Sequence, residues 1–325
     1  MRAAVFFAFC FVLLARSADD IELSVLKAGI AAAERQITEA RVLADSEFDV
    51  WSDKLPEGPN ILEPAGAMDV FSFDTFVDTQ TPNSVEGGKP AELFRNPAIV
   101  DGHSGKALLL DGKNGARLAG SGGVTRSDPF TFSLWLRLDD ASASGLVLEH
   151  AGFGFRLVLE NGKVGLDGSD SVKVIARNSL VTQSWTHVSV SSDGSGRAAG
   201  MRVFVDGVFQ PADAVSDKAR VADAAPAGVS IGCGFHEGGI KGSAIDDVRI
   251  FPRELAPVEI AALAGRDDFT KAVQSIPELT PAQRAFLLEY YIATAHGDSR
   301  TAREQLKTAR EAARKYRESK QPAIR

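Results

Sequence analysis

From Phe130 to Leu138 the chain alternates. Phe130, Phe132, Leu134, Leu136 and Leu138 are apolar, and Thr131, Ser133, Trp135 and Arg137 fall between them. A strand turns successive side chains to opposite faces, so this run predicts one apolar face and one mixed face. Shorter runs of the same kind surround it, at 67–74, 106–110, 116–119, 146–150, 155–160, 163–166, 172–176, 185–191, 201–205, 229–232 and 244–251. Asn161-Gly162 and Asp206-Gly207 stand between or after such runs, and both pairs support the positive φ angles of a tight hairpin. Many short strands with Gly, Asp and Asn punctuation predict a mainly β fold: two packed antiparallel sheets, a jelly-roll sandwich. No long helical stretch separates them, which argues against a parallel α/β sheet.

The period changes outside these strands. Leu23, Leu26, Ile30, Ala33, Ile37, Ala40 and Ala44 follow 3-4-3-4 spacing, the seam of a helix over 21–51. Residues 52–66, with Pro56, Gly58, Pro59 and Pro64, read as a linker. After Pro252 come a helix at 255–264 stopped by Gly265, a second at 267–274, and a third opened by Thr280-Pro281 as N-cap and first turn. Gly297-Asp298 is expected to break it. The last helix, 299–319, carries Ala302, Leu306, Ala309, Ala313 and Tyr316 as a second seam. Antiparallel pairing of the two seams would clasp the ends of the sandwich together. The same helices, 21–51 and 299–319, are the places where a protein partner would engage as in a coiled coil.

Composition adds the compartment. Residues 1–17 have a basic Arg2, an apolar run from Ala3 to Leu14 and a small-x-small exit at Ala15-Arg16-Ser17. That pattern predicts a secretory signal peptide, so the mature protein is expected to be exported, periplasmic or extracellular. Phe9 before Cys10 excludes a lipoprotein site. The full chain has a formal charge of −7, and removal of the leader makes it more acidic, which excludes a basic nucleic-acid surface. Only Cys233 then remains, so an internal disulfide, a cysteine-ligated zinc and a covalent c-type haem are all excluded. No later stretch is long and apolar enough to span a bilayer.

Four phrases are more specific than the strand pattern: VDGHSGKALLLDG (100–112), DPFTFSLWLRL (128–138), SWTHVSVSSDGSGRAAGMRVFVDG (184–207) and IGCGF with IKGSAIDDVRIFPREL (231–255). In this order and spacing the chain resembles the laminin-G-like, concanavalin A-like jelly roll over about residues 65–265. It is most similar to the version inserted in large exported bacterial proteins that also carry cytochrome c-like regions. The resemblance implies either a free-standing version of that insert or a piece of a larger multidomain protein. The expected organisation is signal peptide 1–17, N-terminal helix 18–51, linker 52–66, jelly roll 67–265 and C-terminal helical segment 266–325.

Candidate chemistry is sparse. Laminarinase-type enzymes of this fold need two carboxylates on one strand face, in a Glu-x-Asp-x-x-Glu run or close to it. None occurs here; Glu149, Glu160 and Glu237 stand alone. The chain is therefore expected not to be an enzyme. A sugar site needs an exposed aromatic platform with polar neighbours. Trp135 and Arg137 on the mixed face of the central strand are the first candidates, with Trp185 and His187 alternating in the same way. These aromatics would otherwise fill a second layer beneath loops. His150, Phe235 and His236 would rim such a site or stand as surface groups. Calcium is common in the wider fold and needs several convergent oxygens. Asp74, Asp246 and Asp247 would supply them if the first and last strands are neighbours, as the resemblance implies. Alternation puts Asp246 on the core side with Val248 and Ile250, where it would instead cap backbone N–H groups. The expected function is a non-catalytic exported module that recognises a glycan or another extracytoplasmic ligand. The alternative is a structural or assembly protein that binds a partner through its helical ends.

Overall fold

The structure is a computed structural model. It describes residues 2–55, 63–119, 124–125, 127–168, 172–218, 228–234 and 238–320, with side chains from Asp19 onward except that of Glu318. Helix α1 (Arg2–Ser52) leads into β1 (Asp69–Phe71), β2 (Gln80–Thr81), β3 (Ala91–Phe94), β4 (Ala98–Asp101), β5 (Lys106–Asp111), β6 (Gly115–Ala119) and β7 (Phe130–Leu138). Then follow β8 (Gly145–His150), β9 (Phe155–Glu160), β10 (Lys163–Asp167), β11 (Val172–Ser179), β12 (Trp185–Ser192) and β13 (Met201–Val205). The last strands are β14 (Val208–Gln210), β15 (Ala212–Asp217), β16 (Gly228–Ile231) and β17 (Lys241–Phe251). Helices α2 (Pro257–Leu263), α3 (Asp268–Gln274), α4 (Pro281–Thr294) and α5 (Gly297–Ser319) end the described chain.

The strands form two antiparallel sheets, and neither closes into a barrel. One sheet runs β14-β13-β12-β7-β17-β5-β4, with β1 also paired to β17. The other runs β15-β11-β10-β9-β8-β16-β6-β3-β2. The alternating run is thus the middle strand of its sheet, and its five apolar residues are all buried in the core between the sheets. The first and last strands are neighbours. Asn161-Gly162 and Asp206-Gly207 take positive φ at both residues and turn β9 into β10 and β13 into β14.

Sequence alternation misses β2, β3, β4, β14 and β15. These are short or lie at sheet edges. β4 follows Pro97 and exposes three of its four residues, and β15 exposes four of six. An edge strand with little burial has no alternation to display.

The helical ends pack as the seams require. Ala33, Ala40, Ala44 and Phe48 of α1 are buried, as are Ala302, Leu306 and Ala313 of α5. The helices run antiparallel: the Tyr316 hydroxyl donates to the Asp19 carbonyl at 3.0 Å, and Arg310 lies 3.7 Å from Glu34. Gly297 starts α5 rather than ending the break, and Thr280 caps α4 with Gln283 closing the capping box. Phe48, Phe269, Leu287, Tyr291 and Ile292 form a second core between α1, α3 and α4. A third cluster, Phe204, Phe251, Leu255 and Ile260, seats α2 on the outer face of the β7 sheet. The clasp therefore covers one end of that face and leaves the other end to the candidate site.

Candidate functional site

The outer face of the β7 sheet is built in cross-strand rungs. Arg137 lies opposite Trp185 on β12 and opposite Ala244 on β17. Trp135 lies opposite His187 and Asp246, and Ser133 opposite Ser189 and Arg249. The sequence candidates Trp135, Arg137, Trp185 and His187 therefore share one surface.

The register of β17 explains an unexpected member. It slips between Asp246 and Arg249, where Asp247 takes φ 49°, so two residues of β17, Asp247 and Val248, oppose Leu134 alone on β7. This bulge ends the simple alternation. Asp246 consequently sits with Trp135 on the outer face, not on the core side with Val248 and Ile250 as alternation alone predicts. Arg249 joins the same face beside Ser133.

A loop from Gly102 to Lys106 folds over these rungs. Asp246 is buried, and its Oδ2 accepts from the backbone N–H of His103 at 2.8 Å and of Ser104 at 3.1 Å. Its Oδ1 accepts from Asp247 N–H at 2.7 Å. Asp74 Oδ1 accepts from Lys106 N–H at 2.8 Å. The carboxylates approach so closely that a Cβ on Gly105 would lie 1.9 Å from Asp74 Oδ1, and one on Gly102 2.5 Å from Asp246 Oδ2. Two carboxylates thus pin one loop, and glycine is required at both pins.

The pinned loop lays the His103 ring on Trp135, with centroids 3.4 Å apart and planes 8° from parallel. His103 is exposed, while Trp135 is half-buried beneath it. His187 meets the other side of the indole edge-on at 5.3 Å and is wholly buried, its Nε2 hydrogen-bonded to Ser133 Oγ at 2.9 Å. Beside them the Arg137 guanidinium stands 5.4 Å over the half-buried Trp185 ring. His187 and Trp135 thus belong to a layer under the loop, and His103 and Trp185 form its outer surface. His103 was not apparent from sequence; its only signal is its place between two glycines in DGHSGK.

Burial dominates the titration of the site. It pushes the His187 imidazole down to about 3, helped by the nearby Arg249 charge, and lowers His103 against the pull of Asp247. It pushes the Asp246 carboxyl up to about 6 and also raises Asp247.

The remaining candidates fare differently. His150 is not on a rim: it ends β8 with no exposed surface, its ring 4.3 Å from Phe153 in the core. The turn at 151–154 folds over it. Phe235 and His236 lie outside the described residues. Asp74, Asp246 and Asp247 lie around one loop, but Asp74 and Asp246 accept from backbone N–H groups and Asp247 faces Arg249 at 3.5 Å. Among the described residues, no group of three His, Cys, Asp or Glu side chains is arranged to hold a metal ion. The arrangement matches the backbone-capping role rather than a calcium cage.

Residues 110–261 match a laminin G-type family model of the concanavalin A-like lectin/glucanases superfamily. No curated protein matches the chain significantly. Among solved structures, the chain is similar to domain 4 of AbnA, a GH43 extracellular arabinanase from Geobacillus stearothermophilus in complex with arabinotriose. That overlap has 22% identity and a TM-score of 0.47, and covers 62% of this chain and all of that one. The binding domain of Paraclostridial Mosquitocidal Protein 1 overlaps at 14% identity and a TM-score of 0.46, over 61% of this chain and 52% of that one. A Trypanosoma rangeli sialidase in complex with 2,3-difluoro-KDN overlaps at 16% identity and a TM-score of 0.44, over 70% of this chain and 39% of that one. The chain thus spans about half or less of these last two. Among the described residues, no helix is long and apolar enough to cross a membrane. The match to this family model covers residues 110–261, which carry strands of both antiparallel sheets.

Proposed function

We propose that this protein is a non-catalytic recognition module that binds a glycan on the outer face of the β7 sheet. The observation that supports the reading is the layered aromatic surface, with exposed His103 stacked on Trp135 and Arg137 over Trp185. Flat rings with guanidinium donors beside them suit the apolar faces and hydroxyl edges of a sugar. The leader-like segment 1–17 supports an exported, periplasmic or extracellular, setting.

Native affinity electrophoresis through gels containing different polysaccharides, with calcium and with EDTA, tests the reading. Retardation by a polymer, lost in Trp135→Ala while the thermal melt is unchanged, is the expected result. Retardation of the variant equal to that of the parent would remove Trp135 from the site.

A second reading, assembly with a protein partner, draws support from α1. Its seam is spent on α5, but Ile21, Val25, Val42, Leu43 and Val50 are exposed on its other faces. Leu43→Glu would then dissociate an assembly seen by sedimentation, and an unchanged sedimentation profile would count against it.

A further inference from the structure

Resting on the glycan reading, we infer that the ligand is an acidic saccharide, one bearing carboxylate or sulfate groups. Outside the candidate site most buried or half-buried arginines are bonded. Arg253 donates to Glu259 and to the Ala65 carbonyl, Arg310 to the Asp193 carbonyl, and Arg156 on the other sheet to Asp167.

Arg137 and Arg249 differ. Each side chain is 28% exposed, and neither guanidinium makes a hydrogen bond among the described residues. Each has only a distant carboxylate: Asp139 at 3.8 Å from Arg137 and Asp247 at 3.5 Å from Arg249. A guanidinium carries five N–H donors in a rigid fork suited to a planar oxyanion. Both forks remain open to solvent, where a planar oxyanion can replace water on their donors.

Their placement indicates what that acceptor is. Arg249 flanks Ser133, Trp135 comes two residues along β7, and Arg137 two further. Same-face residues of a strand recur at about 6.8 Å, so the two arginines bracket the aromatic stack over about 14 Å. That distance suits acidic groups on neighbouring or next-neighbouring units of a chain whose ring lies on the stack. The carboxylates around the site do not oppose this. Asp246 and Asp74 are committed to the loop N–H groups, so their acceptor atoms face the backbone. The net charge of −7 also makes generic attraction to a polyanion unfavourable, so retention by one would report a local site.

The experiment is affinity electrophoresis of the whole chain in gels containing polygalacturonate, dextran sulfate or neutral dextran, at low and moderate salt. Arg137→Gln, Arg249→Gln and Trp135→Ala are run beside the parent, and melts confirm that each folds. The inference expects retention by a charged polymer, weaker at higher salt, with each Arg→Gln change lowering affinity about tenfold, as expected for a lost charge-assisted hydrogen bond. Retention by only the carboxylated or only the sulfated polymer supports it and identifies the oxyanion. Retention by neutral dextran that is lost in Trp135→Ala but equal in both arginine variants overturns the acidic class and leaves the glycan reading standing. Absence of retention by every polymer overturns both.

Discussion

His150 offers the most direct test of the sandwich core. The imidazole has no exposed surface and lies 4.3 Å from Phe153 and 6.4 Å from Phe132. Its Nδ1 accepts the Phe153 N–H at 3.3 Å, which favours the neutral tautomer protonated at Nε2. Burial pushes its pKa down from 6.5 to about 4. The unfolded chain therefore takes up a proton below pH 6.5 that the folded chain refuses until about pH 4. Unfolding is favoured as the pH falls through that window, by about 1.4 kcal/mol per pH unit and about 3 kcal/mol in total.

The parent curve alone will not isolate this effect, because other groups titrate in the same window. His187 acts in the same direction, while Asp69 and Asp246, both raised to about 6, act against it. The measurement is therefore a difference. His150→Gln cannot take up the proton, and at pH 7 it should be less stable than the parent through lost ring packing. As the pH falls from 6.5 towards 4, that deficit should shrink by about 3 kcal/mol. Urea unfolding at half-unit pH intervals gives the two curves, and NMR titration of the His150 ring gives the folded pKa directly. Parallel stability curves, or a His150 resonance titrating near 6.5, would refute the placement of this side chain in the core.

Two further outcomes follow from buried carboxylates. Asp69 is buried, its Oδ1 accepts from Asn83 and its Oδ2 has no hydrogen-bond partner among the described residues; desolvation raises its pKa to about 6. Because the raised group favours its protonated form in the fold, its ionisation destabilises the protein as the pH rises from about 4 through 6. Asp69→Asn should therefore gain up to about 3 kcal/mol at pH 7 and little at pH 4, and an equal effect at both pH values in urea titrations would contradict the assignment. Glu259, whose side chain is only 2% exposed, accepts two bonds from Arg253 at 2.9 and 2.7 Å and one from the Ala256 N–H at 2.9 Å. Glu259→Ala removes both carboxylate bonds of Arg253, which keeps the Ala65 carbonyl, and should cost about 2–3 kcal/mol. The loss should show as faster hydrogen exchange across α2 and α4, and unchanged exchange there would show that the pair does not hold the clasp.

What the sequence made legible follows from burial on one side. The seams of α1 and α5 bury one face and expose the other. The run from Phe130 to Leu138 turns its apolar face to the core and its mixed face to the layer beneath the loop and helices. In both cases polarity writes the orientation into the chain. Hairpins at Asn161-Gly162 and Asp206-Gly207 were legible for a different reason, since few residues tolerate positive φ. Edge strands such as β4 and β15 bury too little to leave a pattern. His150 misled because it ends a strand, where polar residues usually face water, whereas the turn at 151–154 encloses it.

The site was half legible, and one residue accounts for the missing half. Read by alternation, the stretch from Ala244 to Phe251 puts Asp246 in the core and makes Arg249 an isolated surface charge. The positive φ at Asp247 inserts one extra residue into the ladder and moves everything before it to the opposite parity. Asp246 then reaches the outer face, where it pins the loop that carries His103 onto Trp135. The signal was present in weak form. Two adjacent aspartates are poor strand formers, and aspartate is among the few residues that enter the left-handed region readily. An Asp-Asp pair in the middle of a strand, between Ile245 and Val248, is thus a reason to test a bulged register. Here that register brings the pinned loop, the aromatic stack and both unspent arginines onto one surface.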